Sequence, residues 1–367
     1  MKKYELTNEF ITTASGIKLY RIKALMDFGS VKAGDIGGCI EKEANLEQSG
    51  NAWVRENACV FGNAQVRENA EVRGNANVCG NASVAGKAQV CGKAELTENA
   101  RVCGNAWVRE NAEVRGNANV SGSAEVRGNA QVYGNAFVSG SAEVRGNAQV
   151  YGNVNVCGNA RAAGNAQVCG KAELAENARV SGNAFVSGSA EVRGKAKVRG
   201  DAEVSGNTEV SGDAQVSGKA QVRENAWVTG NAEVSENAEV SGYALVSGSA
   251  QVRGDAQVRG NAEVCGKTLV TGSALVDGNA NVYGYAEVRG DACVCGDAEV
   301  CGNAGYVTVK GFGSVYRTTT FFRERAGSVG VKCGCFYGTL DEFRKKVEET
   351  HGKSRKGISD ACRFNGV

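Results

Sequence analysis

The chemistry-bearing residues of this 367-residue chain are one histidine, fourteen cysteines and a long series of Glu-x-Arg pairs. His351, a natural general base near neutral pH, stands close to the C-terminus. Cys333 and Cys335 form a C-x-C pair, and with His351 and Cys362 nearby in sequence they are a weak metal-ligand pattern. Ten other cysteines, at 59, 79, 91, 103, 157, 169, 265, 293, 295 and 301, recur inside a repeat. None of these ten has another cysteine at the equivalent place three repeats on: Cys79 is followed there by Thr97, and Cys91 by Arg109. They therefore do not form disulfide rungs. Cys293 and Cys295 point the same way along one strand. The pairs Glu125/Arg127 and Glu143/Arg145 have the form of acid/base pairs. They recur all along the chain, however, whereas an active site is local, so they read as a solvated face with cross-strand charge pairing.

The element that positions these residues is a period of six. From Asn51 through Ala304 the chain reads N-A-x-V-x-G with no insertion or deletion, giving 42 complete hexads and the opening of a 43rd. The second position is Ala in all but three (Val154, Thr208 and Thr268), and the fourth is Val in all but four (Leu96, Ala162, Leu174 and Tyr306). Ala and Val two apart face the same way in a strand, while the x positions face outward. A period of six cannot hold one face of a 3.6-residue helix. The Gly-Asn junction marks a bend that needs positive φ. Seven hexads close on Glu instead of Gly, and each is followed by Asn, so every bend offers at least one residue, Gly or Asn, that tolerates the left-handed region. Repeats of short strand and bend make a solenoid. Stacked corner asparagines suit amide ladders.

Composition narrows the function. Lys/Arg against Asp/Glu is 7 to 7 in residues 1–50, 23 to 27 in 51–304 and 12 to 6 in 305–367. A near-neutral array argues against nucleic acid bound along it, while the C-terminal piece is basic. The sequence has no 18-residue apolar run and no signal-peptide core, so a cytoplasmic protein off the membrane is expected. Residues 1–50 read as an N-terminal cap with strands at 10–13 and 17–22. Within the cap, Ala44 and Leu46 form an imperfect hexad offset by two residues. Residues 305–367 read as a ββα module: strands at 315–323 and 329–336, then a Thr339/Glu342 capping box and a helix with Leu340, Phe343 and Val347 on one side, stopped near Gly352. The tail 353–367 shows no pattern.

The array resembles the hexapeptide-repeat, left-handed parallel β-helix family, whose motif is an aliphatic residue with a small residue two positions before it, as in Ala52 and Val54. The resemblance implies three hexads per coil and about 14 triangular coils. Together with LYRIKALMDFGSVKAGDIGGCIE (19–41) and CGCFYGTLDEFRKKVEETHG (333–352), the array is similar to YdcK-type proteins of phages and prophages. Acyltransferases of this fold resemble one another in using a His base and a loop protruding from a corner. The array has neither, so no catalytic residue and no cofactor is expected. Outward large side chains suit an interface: Tyr133, Tyr151, Phe137, Phe185, Trp227, Leu245, Leu269 and Leu275, with Trp53, Phe61, Trp107 and Tyr283 also facing outward. The expectation is a non-enzymatic scaffold, phage-derived, that self-associates or binds a host protein. The alternative is a protein that sequesters a small ligand, for example a nucleotide, to counter a host process.

Overall fold

The computed structural model describes residues 2–312 and 317–351, and the chain divides into two compact units, residues 1–195 and 196–367. In both units each hexad contributes a two-residue strand holding its third and fourth positions, followed by a turn. Each strand pairs in parallel with the strand three hexads on, as in Trp53 with Glu71 and Val54 with Val72 in the first unit, or Trp227 with Leu245 and Val228 with Val246 in the second. Three strands therefore complete a turn of a parallel β-solenoid. The hexads of residues 51–194 make eight turns, and those of 195–302 make six. The return of SAEVRGNAQVYG (123–134) at 141–152 is one full turn, with Glu125 directly against Glu143 and Tyr133 against Tyr151.

The core is slim, a single methyl at each Ala and an isopropyl group at each Val. Every second- and fourth-position side chain from Ala52 to Val300 is buried. Each buried Val stabilises by about 1.5–2 kcal/mol. Thr208 and Thr268 replace the second-position Ala and are equally buried. The Thr268 hydroxyl donates to the Cys265 carbonyl at 2.5 Å, whereas the Thr208 hydroxyl has no partner.

The corners correct one sequence expectation. Where a hexad ends in Glu, the Glu itself takes the left-handed conformation (φ 57° to 66° at Glu56, Glu68, Glu98, Glu110, Glu176, Glu224 and Glu236), and the following Asn does not. The chain must turn at the sixth position regardless of what occupies it. Two of these glutamates gain a compensating bond, because the carboxylates of Glu68 and Glu224 accept the corner N–H one turn on, from Gly86 and Gly242, at 2.8 Å. Glycine is the better occupant for a second reason. At Gly74 (φ 76°) an added Cβ would stand 2.8 Å from the Gly92 carbonyl oxygen of the next turn. The asparagines serve the corner differently, by stacking. Amide ladders run Asn63–Asn81–Asn99–Asn117–Asn135–Asn153 at 2.9–3.2 Å, as the sequence suggested.

The N-terminal cap has three strands: β1 (Tyr4–Thr12), β2 (Lys18–Ala24) and β3 (Ile36–Ile40). β1–β2–β3 is antiparallel, and β3 then pairs in parallel with Cys59–Val60, converting hairpin into solenoid. Its register sets Cys39 against Cys59 and Ile40 against Val60, two positions longer than the three-hexad step used elsewhere. Leu46 likewise bridges Val66, the offset of two expected for that imperfect hexad.

The C-terminal module is larger than the two-stranded reading. It is a four-stranded antiparallel sheet, Tyr306–Phe312, Arg317–Arg323, Val329–Cys333 and Phe336–Thr339, followed by helix Leu340–His351. The stretch read as one strand, 329–336, breaks at Gly334 (φ 58°) into two. The helix begins in a capping box: the Thr339 N–H donates to the Glu342 carboxylate at 2.8 Å, and the Glu342 N–H returns to the Thr339 hydroxyl at 3.3 Å. Phe321, Val331 and Phe343 form the module's core, flanked by Val347. Gly352 and the tail lie outside the described residues. The module seats on the last turn through the Ala298–Glu324 bridge, the Arg325 N–H donating to the Asp297 carbonyl at 3.2 Å, and the Cys293 N–H donating to the Thr320 hydroxyl at 2.9 Å. The open sheet edge there is thereby covered.

Core and corner can each be tested by substitution. Thr208→Val keeps the shape, removes an orphan hydroxyl and raises stability by about 1–2 kcal/mol. Thr268→Val, which loses a made bond, gains nothing. Urea denaturation monitored by circular dichroism separates them, and equal effects would contradict the assignment. Replacing a left-handed Glu by Gly relieves about 1–2 kcal/mol of strain, less the entropy that Gly adds to the unfolded chain. Glu98→Gly should therefore stabilise more than Glu68→Gly, which also gives up the bond to Gly86.

Candidate functional site

The outward residues expected to form an interface do not fall on one face. In the first unit Tyr133, Tyr151 and Phe185 belong to one sheet and Phe137 to another. In the second, Trp227 and Leu245 are adjacent in register, while Leu269 and Leu275 belong to the other two sheets. The hexad period places side chains in columns, and the third of a turn between successive hexads separates residues that are neighbours in sequence.

Two columns are built. The rings of Tyr133 and Tyr151 stack in parallel, centroids 4.9 Å apart and 2° from coplanar, with the Arg115 guanidinium 4.7 Å from the Tyr133 centroid. Contact with the Cys169 thiol raises the pKa of the Tyr151 hydroxyl to about 12. These aromatics satisfy one another. By contrast, Trp227 is 53% exposed, Trp107 42% and Phe137 40%. Trp53, read as outward, is only 2% exposed because Tyr4 and Phe28 of the cap pack on it edge-on, at 6.1 Å and 5.3 Å.

The Glu-x-Arg pairs form a ladder. Arg109 reaches Glu125 of the next turn; Arg127 bridges Glu125 and Glu143, at 3.3 Å each; and Arg161 reaches Glu143 at 3.3 Å. Each acid is shared between two or more bases, one at least from a neighbouring turn, which is the arrangement of a charge-paired face. Their net effect on stability is modest at this exposure.

The structure brings together two cysteine pairs. Cys39 of the cap lies directly beside Cys59 in parallel register, 1% and 8% exposed. A strict three-hexad spacing misses this pair because the first turn, from Cys39 to Cys59, is two positions longer. The Cys59 thiol bonds the Cys39 sulfur and, with the Arg21 guanidinium, brings the Cys39 pKa down to about 7. In the last turn, Cys293 and Cys295, two residues apart at the end of a strand, hydrogen-bond one another, which lowers the Cys293 pKa and raises that of Cys295. Of the expected Cys333, Cys335 and His351 set, the structure describes the two cysteine side chains. Cys333 accepts a bond from the Thr319 hydroxyl at 2.9 Å and packs on the module core, while Cys335 is exposed in a turn. The His351 side chain and Cys362 lie outside the described residues. Among the described residues no cluster of three or more His, Cys, Asp or Glu is disposed to hold a metal ion.

A feature the sequence did not announce is a cleft between the last turn and the C-terminal sheet. One chamber, about 420 Å³, is mainly apolar, with Val307, Phe321, Phe322, Val329 and Leu340 in its walls. A second, about 370 Å³, is polar and holds Tyr283, Glu299, Arg323 and Arg325. Arg323 belongs to both. The Tyr283 hydroxyl donates to Glu299 at 2.8 Å, which lifts the Tyr283 pKa to about 12 and keeps the phenol protonated.

Residues 130–146, inside the Tyr133 turn, match the family model of the YdcK beta solenoid repeat. The chain is a parallel β-solenoid that carries, at those residues, a repeat similar to that of YdcK. No curated protein matches it. The matched segment lies wholly within the hexad array. Among the described residues, no helix is long and apolar enough to cross a membrane.

The three tryptophans give a direct check on how this chain buries its aromatics. With Trp107 and Trp227 replaced by Phe, the remaining Trp53 should emit at short wavelength and resist iodide quenching. Trp107 and Trp227, each left alone, should be quenched freely. A readily quenched Trp53 would mean the cap does not cover it.

Proposed function

We propose that this YdcK-type solenoid is a non-enzymatic binding scaffold whose primary partner is a second copy of itself, docked through the exposed Trp227 and the half-buried Leu245 beside it. The observation that carries this reading is Trp227, a large apolar ring left half-exposed on a flat sheet and next in register to Leu245. The residues two along, Thr229 and Ser247, are short. Flat strand faces without protruding loops suit lateral packing, and aromatic anchors dominate such contacts. The array contains no histidine and its charged pairs are shared ladders, which supports the binding reading. Light scattering and native mass measurement should find a dimer, and Trp227→Glu should convert it to a monomer with unchanged circular dichroism. A wild-type chain that stays monomeric at high micromolar concentration would refute self-association.

The C-terminal cleft favours a second reading, in which the module binds a small ligand with an apolar body and an anionic group held by Arg323. Native mass spectrometry of the purified chain would find such a molecule carried along, and Arg323→Gln would lose it.

A further inference from the structure

We propose that Cys293 and Cys295 form a two-coordinate site for a soft monovalent cation, Cu(I) being the chemical type, enclosed between the last solenoid turn and the C-terminal sheet. Cys293 lies on the strand Cys293–Val294 and Cys295 directly follows it, so extended backbone separates their Cα atoms by roughly 6.6 Å. A disulfide needs Cβ atoms within about 4.5 Å, so the strand resists closing this pair. Two thiolates each about 2.2 Å from one central ion span that gap naturally, and thiolates select soft ions. A tetrahedral zinc site would need further ligands, and no cluster of three or more forms among the described residues.

The sheet supplies a lid with matching charge. Thr320, Lys332 and Tyr337 are cross-strand partners in one row. The row's first member accepts the Cys293 N–H, and its last stands over Gly296, where an added Cβ would collide with the Tyr337 hydroxyl. Lys332 lies between them in that row and brings a positive charge to the cysteine pair. The other charges facing the pair are Asp277, one turn below, and Arg259, which bonds Asp277 at 3.0 Å and neutralises it. Binding one Cu(I) releases the two thiol protons and leaves a bis-thiolate complex of charge −1, which Lys332 offsets. No electrons are transferred. Both thiols are half-buried, so the site is reachable yet shielded from a second protein's thiols.

The test is anaerobic competition of the reduced full chain against a chromophoric Cu(I) chelator. The wild type should withdraw one tight equivalent. Cys293→Ser and Cys295→Ser should each lose it, and Lys332→Gln should weaken it about tenfold. Cys79→Ser, a lone outward thiol, should leave it intact. If Cys293→Ser fails to fold, as judged by circular dichroism, Cys295→Ser and Lys332→Gln decide. The proposal is overturned if the wild type withdraws no tight equivalent, if that equivalent survives in both serine variants, or if it is lost in Cys39→Ser instead, which would assign it to the Cys39–Cys59 pair.

Discussion

Everything in this protein depends on the corner at the sixth position of each hexad. There the backbone must enter the left-handed region, and it does so with the corner of the next turn directly on top of it, as the N–H of Asn57 donating to the Gly74 carbonyl at 3.0 Å makes plain. If that bend is missed once, the following Ala and Val leave the core and x residues enter it, because side-chain direction alternates with every residue. The strands themselves are only two residues long and could not hold a direction alone. Stability therefore comes from repetition: short ladders, slim Ala/Val layers and stacked Asn amides, each turn bonded to its neighbours.

The ends solve a different problem. A parallel stack that simply stops leaves an open edge, and this chain closes its first and last turns with antiparallel sheets of unlike design. The N-terminal cap lays Tyr4 and Phe28 on Trp53 and inserts Lys3, whose ammonium reaches the Ala52 carbonyl at 2.9 Å. The C-terminal sheet lays the row Thr320–Lys332–Tyr337 on the last turn. Cysteine pairs sit under both lids, Cys39–Cys59 at one and Cys293–Cys295 at the other. Along the faces between them, charged residues satisfy one another and tyrosines stack on tyrosines. The chemically distinctive surroundings thus lie where the repeat stops, and the exposed aromatics lie where it continues.

How much of this was legible follows from what a period can encode. The core, the outward columns and the amide ladders were all readable, since Ala, Val and Asn recur at fixed positions whatever their neighbours. The cap's partial hexad at Leu46 was also readable, down to its offset of two. The occupant of the left-handed position was not. Glu in that region contradicts local preference, and only the stack's demand for a bend at every sixth residue overrides it. The Cys39–Cys59 contact was missed because the spacing of a regular turn does not hold for the longer first one. The interface residues were named correctly as outward but not assembled, because a side chain's column depends on its hexad number modulo three and not on its proximity in sequence. The last two strands of the C-terminal sheet were merged into one, since the turn at Gly334 interrupts an otherwise continuous β-prone run. The cleft beside Arg323 arises from the docking of two elements, which no local pattern records.

The central claim is that the hexad, with its left-handed sixth residue, is the unit of folding. Deleting six residues against deleting five tests it most directly. Removing residues 117–122 takes out one whole hexad, so every downstream Ala and Val still points inward and every corner still closes, although the outer columns shift by a third of a turn. Removing residues 117–121 throws the downstream Ala and Val out of the core. Far-ultraviolet circular dichroism with hydrogen exchange on both variants should find the six-residue deletion folded with protection close to that of the parent, and the five-residue deletion unprotected beyond the cut. Equal tolerance of both deletions, or equal collapse, would contradict this account.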